Sequence, residues 1–261
     1  MRIAVLGSRG FVGSNIVQYL RHQHHVTAVH RDNLDLLNFI AVKDFLKQNK
    51  FDIIINAAAV MTDPNSLHDI RNNLGLFMNF FDNSELFGKM INLGSGAEYD
   101  RTTNISNVLE EQIFECMPTD GYGLGQNIKS RLCYDQTQFY TIRIFNCFGR
   151  GELSTRLFPR IIAGQHIEIQ DRYFDYFSIQ DLLLTIDHCI NNEWTWSDVN
   201  AVYVNKIKVS EAVELFCSLN NIEPNYSIVS TNNNNYTGSG IKLQSLGVKL
   251  QELEQGFKEY L

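Results

Sequence analysis

Gly7, Gly10 and Gly13 recur at every third position of GSRGFVGSNI. An apolar run at residues 3–6 precedes them, and Ile16, Val17 and Leu20 follow at helical spacing. Strand, glycine turn and helix in that order make an anion site. Gly7 permits the tight turn off the strand, Gly10 lets backbone N–H groups approach a pyrophosphate, and Gly13 lets the helix pack close to the sheet. The anion would sit at the positive end of the helix, so a bound dinucleotide is predicted, with Phe11 and Val12 of the first turn among its contacts.

Arginines form the second candidate set. Arg9 lies inside the glycine loop and Arg31 just past the second strand, where a carboxylate would take the ribose of NAD. Two guanidinium groups there would flank a 2′-phosphate and favour NADP(H); if Asp32 takes the ribose instead, NAD(H) follows. Arg150, Arg156, Arg160 and Arg172 cluster in a chain of net charge −7. Their paired N–H donors suit a nucleotide diphosphate, although solvated surface arginines would read the same way. The five cysteines are scattered, never as CxxC, so neither a disulfide framework nor a metal site is expected, and the compartment reads as reducing.

These groups need a scaffold to position them. A second strand is predicted at residues 25–29, a helix at 40–48, and a buried parallel strand at 51–55. Ala57, Ala58 and Ala59 follow it, small enough to let a cofactor approach. A helix over 72–81 and a strand over 90–93 come next, the strand ending in the turn Gly94, Ser95, Gly96. Residues 201–204, a helix at 210–219 and another at 250–260 complete the second part, with a polar loop at 232–235. The expected fold is a doubly wound parallel α/β sheet of the Rossmann kind with a small C-terminal α/β substrate lobe. Residues 1–150 would bind the dinucleotide, with later segments returning to that unit, and residues 151–261 would mainly form the lobe.

Hydrophobic content of 44% and charged content of 20% fit an ordinary globular chain. The acidic balance disfavours a general nucleic-acid binder. The longest apolar stretch, residues 53–61, contains Asn56 and is too short to span a bilayer. With no signal sequence at the N-terminus, a cytoplasmic protein without a membrane partner is expected.

Several motifs together resemble the extended short-chain dehydrogenase/reductases acting on nucleotide sugars. The nearest likeness is to the GDP-fucose synthase branch of 4-keto sugar reductases. The motifs are GSRGFVGSNI, HRDNLDLLN (30–38), NAAA (56–59), NLGSGAEY (92–99), GYGLGQ (121–126) and RIFNCFG (143–149). FDYFSIQDLL (174–183) and the C-terminal IKLQSLGVKLQELEQGFKEYL continue the likeness to the end of the chain.

The resemblance implies hydride transfer at a sugar carbon, with Tyr122 moving the proton and Ser95 bonding the same oxygen. It also implies cofactor contacts from Asp35, Leu36 and Asn73, and substrate contacts from Asn146, Arg150, Arg160 and Arg172. The partner would be a nucleotide-diphosphate sugar, with a homodimer as the candidate assembly. A phenol titrating near 10 is a poor acid–base group unless a positive charge assists it.

The chain departs from that family at this point. The lysine expected four residues after the tyrosine is Gln126, which can bond a nicotinamide ribose but carries no charge. Lys129 is seven residues past Tyr122 on the same helical face, roughly 10 Å along the axis. Phe174 stands where the family has an arginine, and Arg172 would point the same way along a strand. Ala97 occupies the place of the acid–base cysteine of fucose synthases, and no histidine falls between Cys147 and Gln165. Plain reduction of a 4-keto sugar is therefore expected. An epimerase or dehydratase with tightly held NAD(P), and a binder without turnover, stand as the alternatives.

Overall fold

The computed structural model describes residues 1–60, 63, 66–193, 195–230 and 234–261. In chain order the first half comprises β1 (Arg2–Leu6), α1 (Phe11–Leu20), β2 (His25–Val29), α2 (Phe39–Asn49), β3 (Ile53–Asn56), α3 (Leu67–Phe81) and β4 (Lys89–Ser95). β5 (Ile105–Val108), α4 (Gly121–Cys133), β6 (Phe139–Ile144), β7 (Cys147–Phe148), α5 (Leu157–Ile162), β8 (Ile167–Gln170) and β9 (Phe177–Ser178) follow. The chain finishes with α6 (Ile179–Asn191), β10 (Asp198–Ala201), α7 (Val209–Asn220), β11 (Tyr226–Ser230), β12 (Tyr236–Gly238), α8 (Ile241–Ser245) and α9 (Glu252–Lys258).

Six parallel strands form the main sheet in the order β10-β6-β4-β3-β1-β2. Both of its faces are covered, and the alternation of β1 shows how. Ile3 and Val5 pack on one face with Ile16 and Leu20 of α1 and Leu182 and Ile186 of α6. Ala4 and Leu6 turn the other way, onto Val42 and Leu46 of α2 and Phe77 and Phe80 of α3. Burial on both faces favours consecutive apolar residues, which is why residues 3–6 of β1 and 53–55 of β3 read as unbroken runs.

A third core, built around Phe148, Phe158, Phe216 and Phe257, holds the lobe together beneath the small β8–β11 sheet. Two further short pairs, β5 with β12 and β7 with β9, bring late segments back beside the main sheet.

Several boundaries differ from the sequence reading. α3 begins at Leu67, well before residue 72, because the Ser66 hydroxyl accepts the Asp69 N–H at 3.3 Å and caps the helix. Ala201 ends a strand, β10, which pairs with β6 in the main sheet and does not belong to the lobe. Of the polar loop at 232–235, Asn234 and Asn235 are loop, and residues 232 and 233 lie outside the described residues. Among the described residues, no helix is long and apolar enough to cross a membrane.

Candidate active site

The strand order reverses between β1 and β3. Crevices at such a reversal, at the carboxyl ends of the strands, are where open α/β sheets take ligands. Gly7 has φ 73°, and a Cβ there would lie 2.6 Å from the Ala57 carbonyl oxygen, so only glycine fits between the two strand ends. A Cβ on Gly13 would come within 2.3 Å of the Gly7 oxygen, whereas one on Gly10 would meet nothing closer than 3.4 Å. Gly10 thus has room for a Cβ at ordinary contact distance. Ser8 donates to Val29 O through both its N–H (3.1 Å) and its hydroxyl (3.0 Å), tying the glycine turn to β2. Phe11, Val12 and Ala57, Ala58 and Ala59 line a cleft of about 560 Å³.

Arg9, in the glycine turn, is ion-paired with Asp32, just past β2, and both are largely exposed. Arg31 is exposed beside them. Asp35 accepts the Leu37 N–H at 3.0 Å, and Leu36 is buried in the core under α2 and α3. Asn73 clamps the loop after β3, accepting the Val60 N–H (2.8 Å) and donating to its carbonyl (2.6 Å). None of Arg9, Arg31, Asp35, Leu36 and Asn73 lines the cleft.

Ser95, Tyr122 and Gln126 all line it. Ser95 closes β4, and its hydroxyl accepts the Ala97 N–H at 3.1 Å. Tyr122 sits in the first turn of α4, where Asp120 caps the helix by accepting the Gly123 N–H at 2.8 Å. Arg101, itself a lining residue, donates to both Asp120 oxygens at 3.2 and 2.7 Å. A Cβ at Gly123 would lie 2.4 Å from the Ala97 oxygen, so the bare backbone lets α4 press against the Ser95 turn. Gln126 is 2% exposed, and its Oε1 is buried without a hydrogen-bond partner.

A buried ionic chain underlies this turn. Glu98 accepts the Ser95 N–H at 2.9 Å and pairs with Arg143, which donates to Asp198 at 2.7 Å; Asp198 in turn takes Lys242 at 2.7 Å. Burial pushes the Glu98 carboxyl up, and Arg143 pulls it back only in part. Burial also opposes charge on Asp198, but Arg143 and Lys242 outweigh it and hold that carboxyl below its ordinary range. Residues 96–98 form a 3-10 turn, and Glu98, fully buried at its end, is held by Arg143 and does not line the cleft. Lys129 is fully buried and does not line the cleft; burial pushes its ammonium down to about 8.

The cleft is also lined by Asn146 and Arg172, together with Arg156, Glu152, Asn235 and Tyr236. Arg156 donates to Asn146 Oδ1. Arg172 donates to Asn234 O at 3.1 Å and lies over the Phe174 ring at 5.3 Å, so the two residues share one wall. Glu152 accepts the Tyr260 hydroxyl at 2.6 Å, and burial pushes its carboxyl up. Arg150 and Arg160 are not lining residues, and Arg160 is engaged with Gln165 at 3.0 Å.

Arg101 and Tyr236 had no local signal in the sequence. Arg156 stood among the clustered arginines with nothing to separate it from the others.

The family model described as the NAD dependent epimerase/dehydratase family matches residues 3–180. A GDP-6-deoxy-D-talose 4-dehydrogenase of Aggregatibacter actinomycetemcomitans is 23% identical over 202 residues, covering 69% of this chain and 67% of that protein. A Campylobacter jejuni structure described as GDP-mannoheptose C4 reductase with NADP bound has a TM-score of 0.80 at 19% identity, covering 99% of this chain and 96% of its own. A GDP-L-fucose synthetase structure from Naegleria fowleri has a TM-score of 0.84 at 15% identity, covering 99% and 91%. At these identities the structural likeness establishes the fold.

Proposed function

The chain belongs to the NAD dependent epimerase/dehydratase family, and we propose that within it this protein is an NADP-dependent reductase of a 4-keto-6-deoxy nucleotide sugar. One observation carries the reading: Ser95, Tyr122 and Gln126 share a single cleft with the glycine-turn residues Phe11 and Val12 and with the cations Arg156 and Arg172. A nicotinamide dinucleotide fits the residues present. The glycine turn precedes the N-terminus of α1, whose first residues Phe11 and Val12 line the cleft, and the unpartnered Gln126 Oε1 lacks a donor that a ribose hydroxyl could supply.

When bound, the reduced cofactor supplies the hydride; the chain supplies everything around it. Ser95, already accepting from Ala97, donates its hydroxyl proton to the keto oxygen. Tyr122 gives that oxygen its proton as it becomes an alcohol. Arg156 and Arg172, more than Arg150 and Arg160, hold the diphosphate, because of these four they are the two that line the cleft. Arg9 and Arg31 take the 2′-phosphate, Arg9 exchanging Asp32 for it. The relatives above are named for GDP-sugars, which makes guanine the first base to test.

Reduction is favoured over epimerisation because, among the described residues, no unpaired carboxylate lines the cleft. Ala97 has no exchangeable proton, Glu98 is held by Arg143, and Glu152 accepts from Tyr260. A binder without turnover is the second reading, favoured by the uncharged Gln126. NMR of a 4-keto-6-deoxy GDP-sugar incubated with enzyme and NADPH in deuterated water tests all three. Hydride delivered to C4 without deuterium at C3 or C5 is expected. Exchange at either carbon above an enzyme-free control refutes plain reduction, and no conversion of any 4-keto sugar alongside tight NADPH binding favours the binder.

A further inference from the structure

Among the described residues Glu152 is the only carboxylate that lines the cleft, and its side chain is 3% exposed. Both of its oxygens are engaged. Oε1 accepts the Tyr260 hydroxyl at 2.6 Å, and Oε2 lies 3.5 Å from Arg156 Nε. On the far side of the same guanidinium, Nη2 donates to Asn146 Oδ1 and reaches Cys147 O at 3.4 Å. Among the described residues nothing accepts from Arg156 Nη1, although Arg156 lines the cleft.

Tyr260 stands 108 residues from Glu152, just past α9, and carries its phenol out of the lobe core. The ring is 5% exposed, stacked on Phe148 at a centroid distance of 6.4 Å and edge-on to Phe216 at 5.2 Å. Glu152 is fixed at its backbone too, where its N–H donates to Gly149 O at 3.2 Å. Burial and the carboxylate both push the Tyr260 phenol up, so it keeps its proton and is the donor of the pair.

We propose that Tyr260 and Glu152 are positioning residues that hold Arg156 ready for the diphosphate of a nucleotide sugar. The inference rests on the reading above in which Arg156 takes that diphosphate. The five N–H donors of a guanidinium share one rigid plane. With Nε held by Glu152 and Nη2 by Asn146, the plane is fixed and the two Nη1 protons are left for a ligand. Ordering this long side chain before the ligand arrives removes that cost from binding.

Charge alone would work the other way, because a carboxylate beside an anion site repels the anion. What Glu152 contributes is therefore orientation. Burial raises its carboxyl, and the Tyr260 hydrogen bond and Arg156 oppose that rise. The phenol thus helps to keep Glu152 the acceptor that Arg156 needs.

Calorimetric titration with GDP reads the diphosphate site without turnover, and titration with NADPH is the control. Tyr260→Phe keeps the ring contacts and should weaken GDP binding about 3- to 10-fold, with NADPH affinity within about twofold of the wild type. Glu152→Gln should weaken GDP binding by about as much, although it removes a negative charge. In an Arg156→Ala background neither substitution should cost anything further. GDP binding unchanged by Tyr260→Phe, tighter GDP binding in Glu152→Gln, or losses that multiply in the Arg156→Ala background overturn the proposal.

A second arm needs no ligand. In protein labelled with nitrogen-15 at arginine, the Arg156 Nε resonance, assigned by its loss in Arg156→Ala, should move in Glu152→Gln and in Tyr260→Phe. A resonance unmoved by either substitution overturns the chain of contacts. A wild type that binds NADPH but neither GDP nor UDP sinks the nucleotide-sugar reading, and this arm then decides on its own whether Tyr260 and Glu152 hold Arg156.

Discussion

Adding one methyl group at Gly123 should separate the two hydroxyls of the site, and a second glycine on the same helix provides the control. A Cβ at Gly123 would lie 2.4 Å from the Ala97 oxygen and 2.9 Å from Pro118 Cβ. Relief to an ordinary contact needs a shift of about 1 Å. The Ala97 turn cannot supply all of it, because Asn127 of the same helix grips Glu98 O at 2.8 Å. α4 must therefore tilt away from the Ser95 turn and take Tyr122 with it.

Overpacking of this kind costs about 1–3 kcal/mol. Alanine returns up to about 1 kcal/mol of helix propensity, so the net loss is roughly 0–3 kcal/mol. That lowers Tm by about 2–4 °C per kcal/mol in a chain of this size. The rate should suffer more, because a displacement of about 1 Å at reacting groups costs up to about 10²-fold.

Gly125→Ala meets only Ile70 Cγ2, at 3.9 Å. It should raise Tm by about 2–4 °C and leave turnover unchanged. Thermal melts and initial rates of NADPH oxidation measure both variants. A Gly123→Ala enzyme as fast as the wild type, or a Gly125→Ala enzyme equally impaired, would refute the argument.

Three further outcomes are expected. Arg31→Ala should weaken NADPH binding tenfold or more, at about 1.5–3 kcal/mol per charged hydrogen bond, and leave NADH within about twofold; fluorescence titration giving equal wild-type affinities for the two defeats the NADP assignment. Gln126→Lys should raise neutral-pH turnover about tenfold, since an ammonium beside Tyr122 favours the phenolate left when the proton is given up; unchanged or lower turnover means the uncharged glutamine is not limiting. Lys129 has its ammonium pushed by burial from 10.5 to about 8. Between those values the unfolded chain binds more protons, so stability rises with pH through that window. Lys129→Met should therefore stabilise the protein by up to about 3 kcal/mol at pH 7, and the gain should shrink toward pH 10 in urea titrations while turnover persists. Lost turnover would make Lys129 a functional charge after all.

The sheet was legible because burial on both faces leaves a continuous apolar signal, and the glycine turn because its spacing has few other uses. Helix starts were less so. Leu67 is largely exposed and His68 and Asp69 break the apolar period, so α3 announced itself only at residue 72; what starts it is a single Ser66 hydroxyl. β10 was misplaced for a different reason. DVNA carries Asp198 and Asn200 into the main sheet, and a polar residue reads as strand interior only when its partner is known, here Arg143 for Asp198 and Tyr99 for Asn200.

The same dependence on distant partners divides the site itself. Ser95 and Tyr122 could be read from short motifs because each is positioned by its immediate neighbours, Ala97 for the serine and Asp120 for the helix that carries the tyrosine. Arg101, Arg156 and Tyr236 reach the cleft through tertiary placement alone, and Arg150 and Arg160, equal to Arg156 in type and spacing, do not. Local sequence therefore specifies which groups could react, whereas the return of β12 and the lobe to the sheet decides which charges and hydroxyls surround them. Gln126 brings the two levels together. Its neighbours in sequence mark it as standing where the resemblance expects a lysine, whereas its burial and its unpartnered Oε1 are set by the packing of α4 against the rest of the fold.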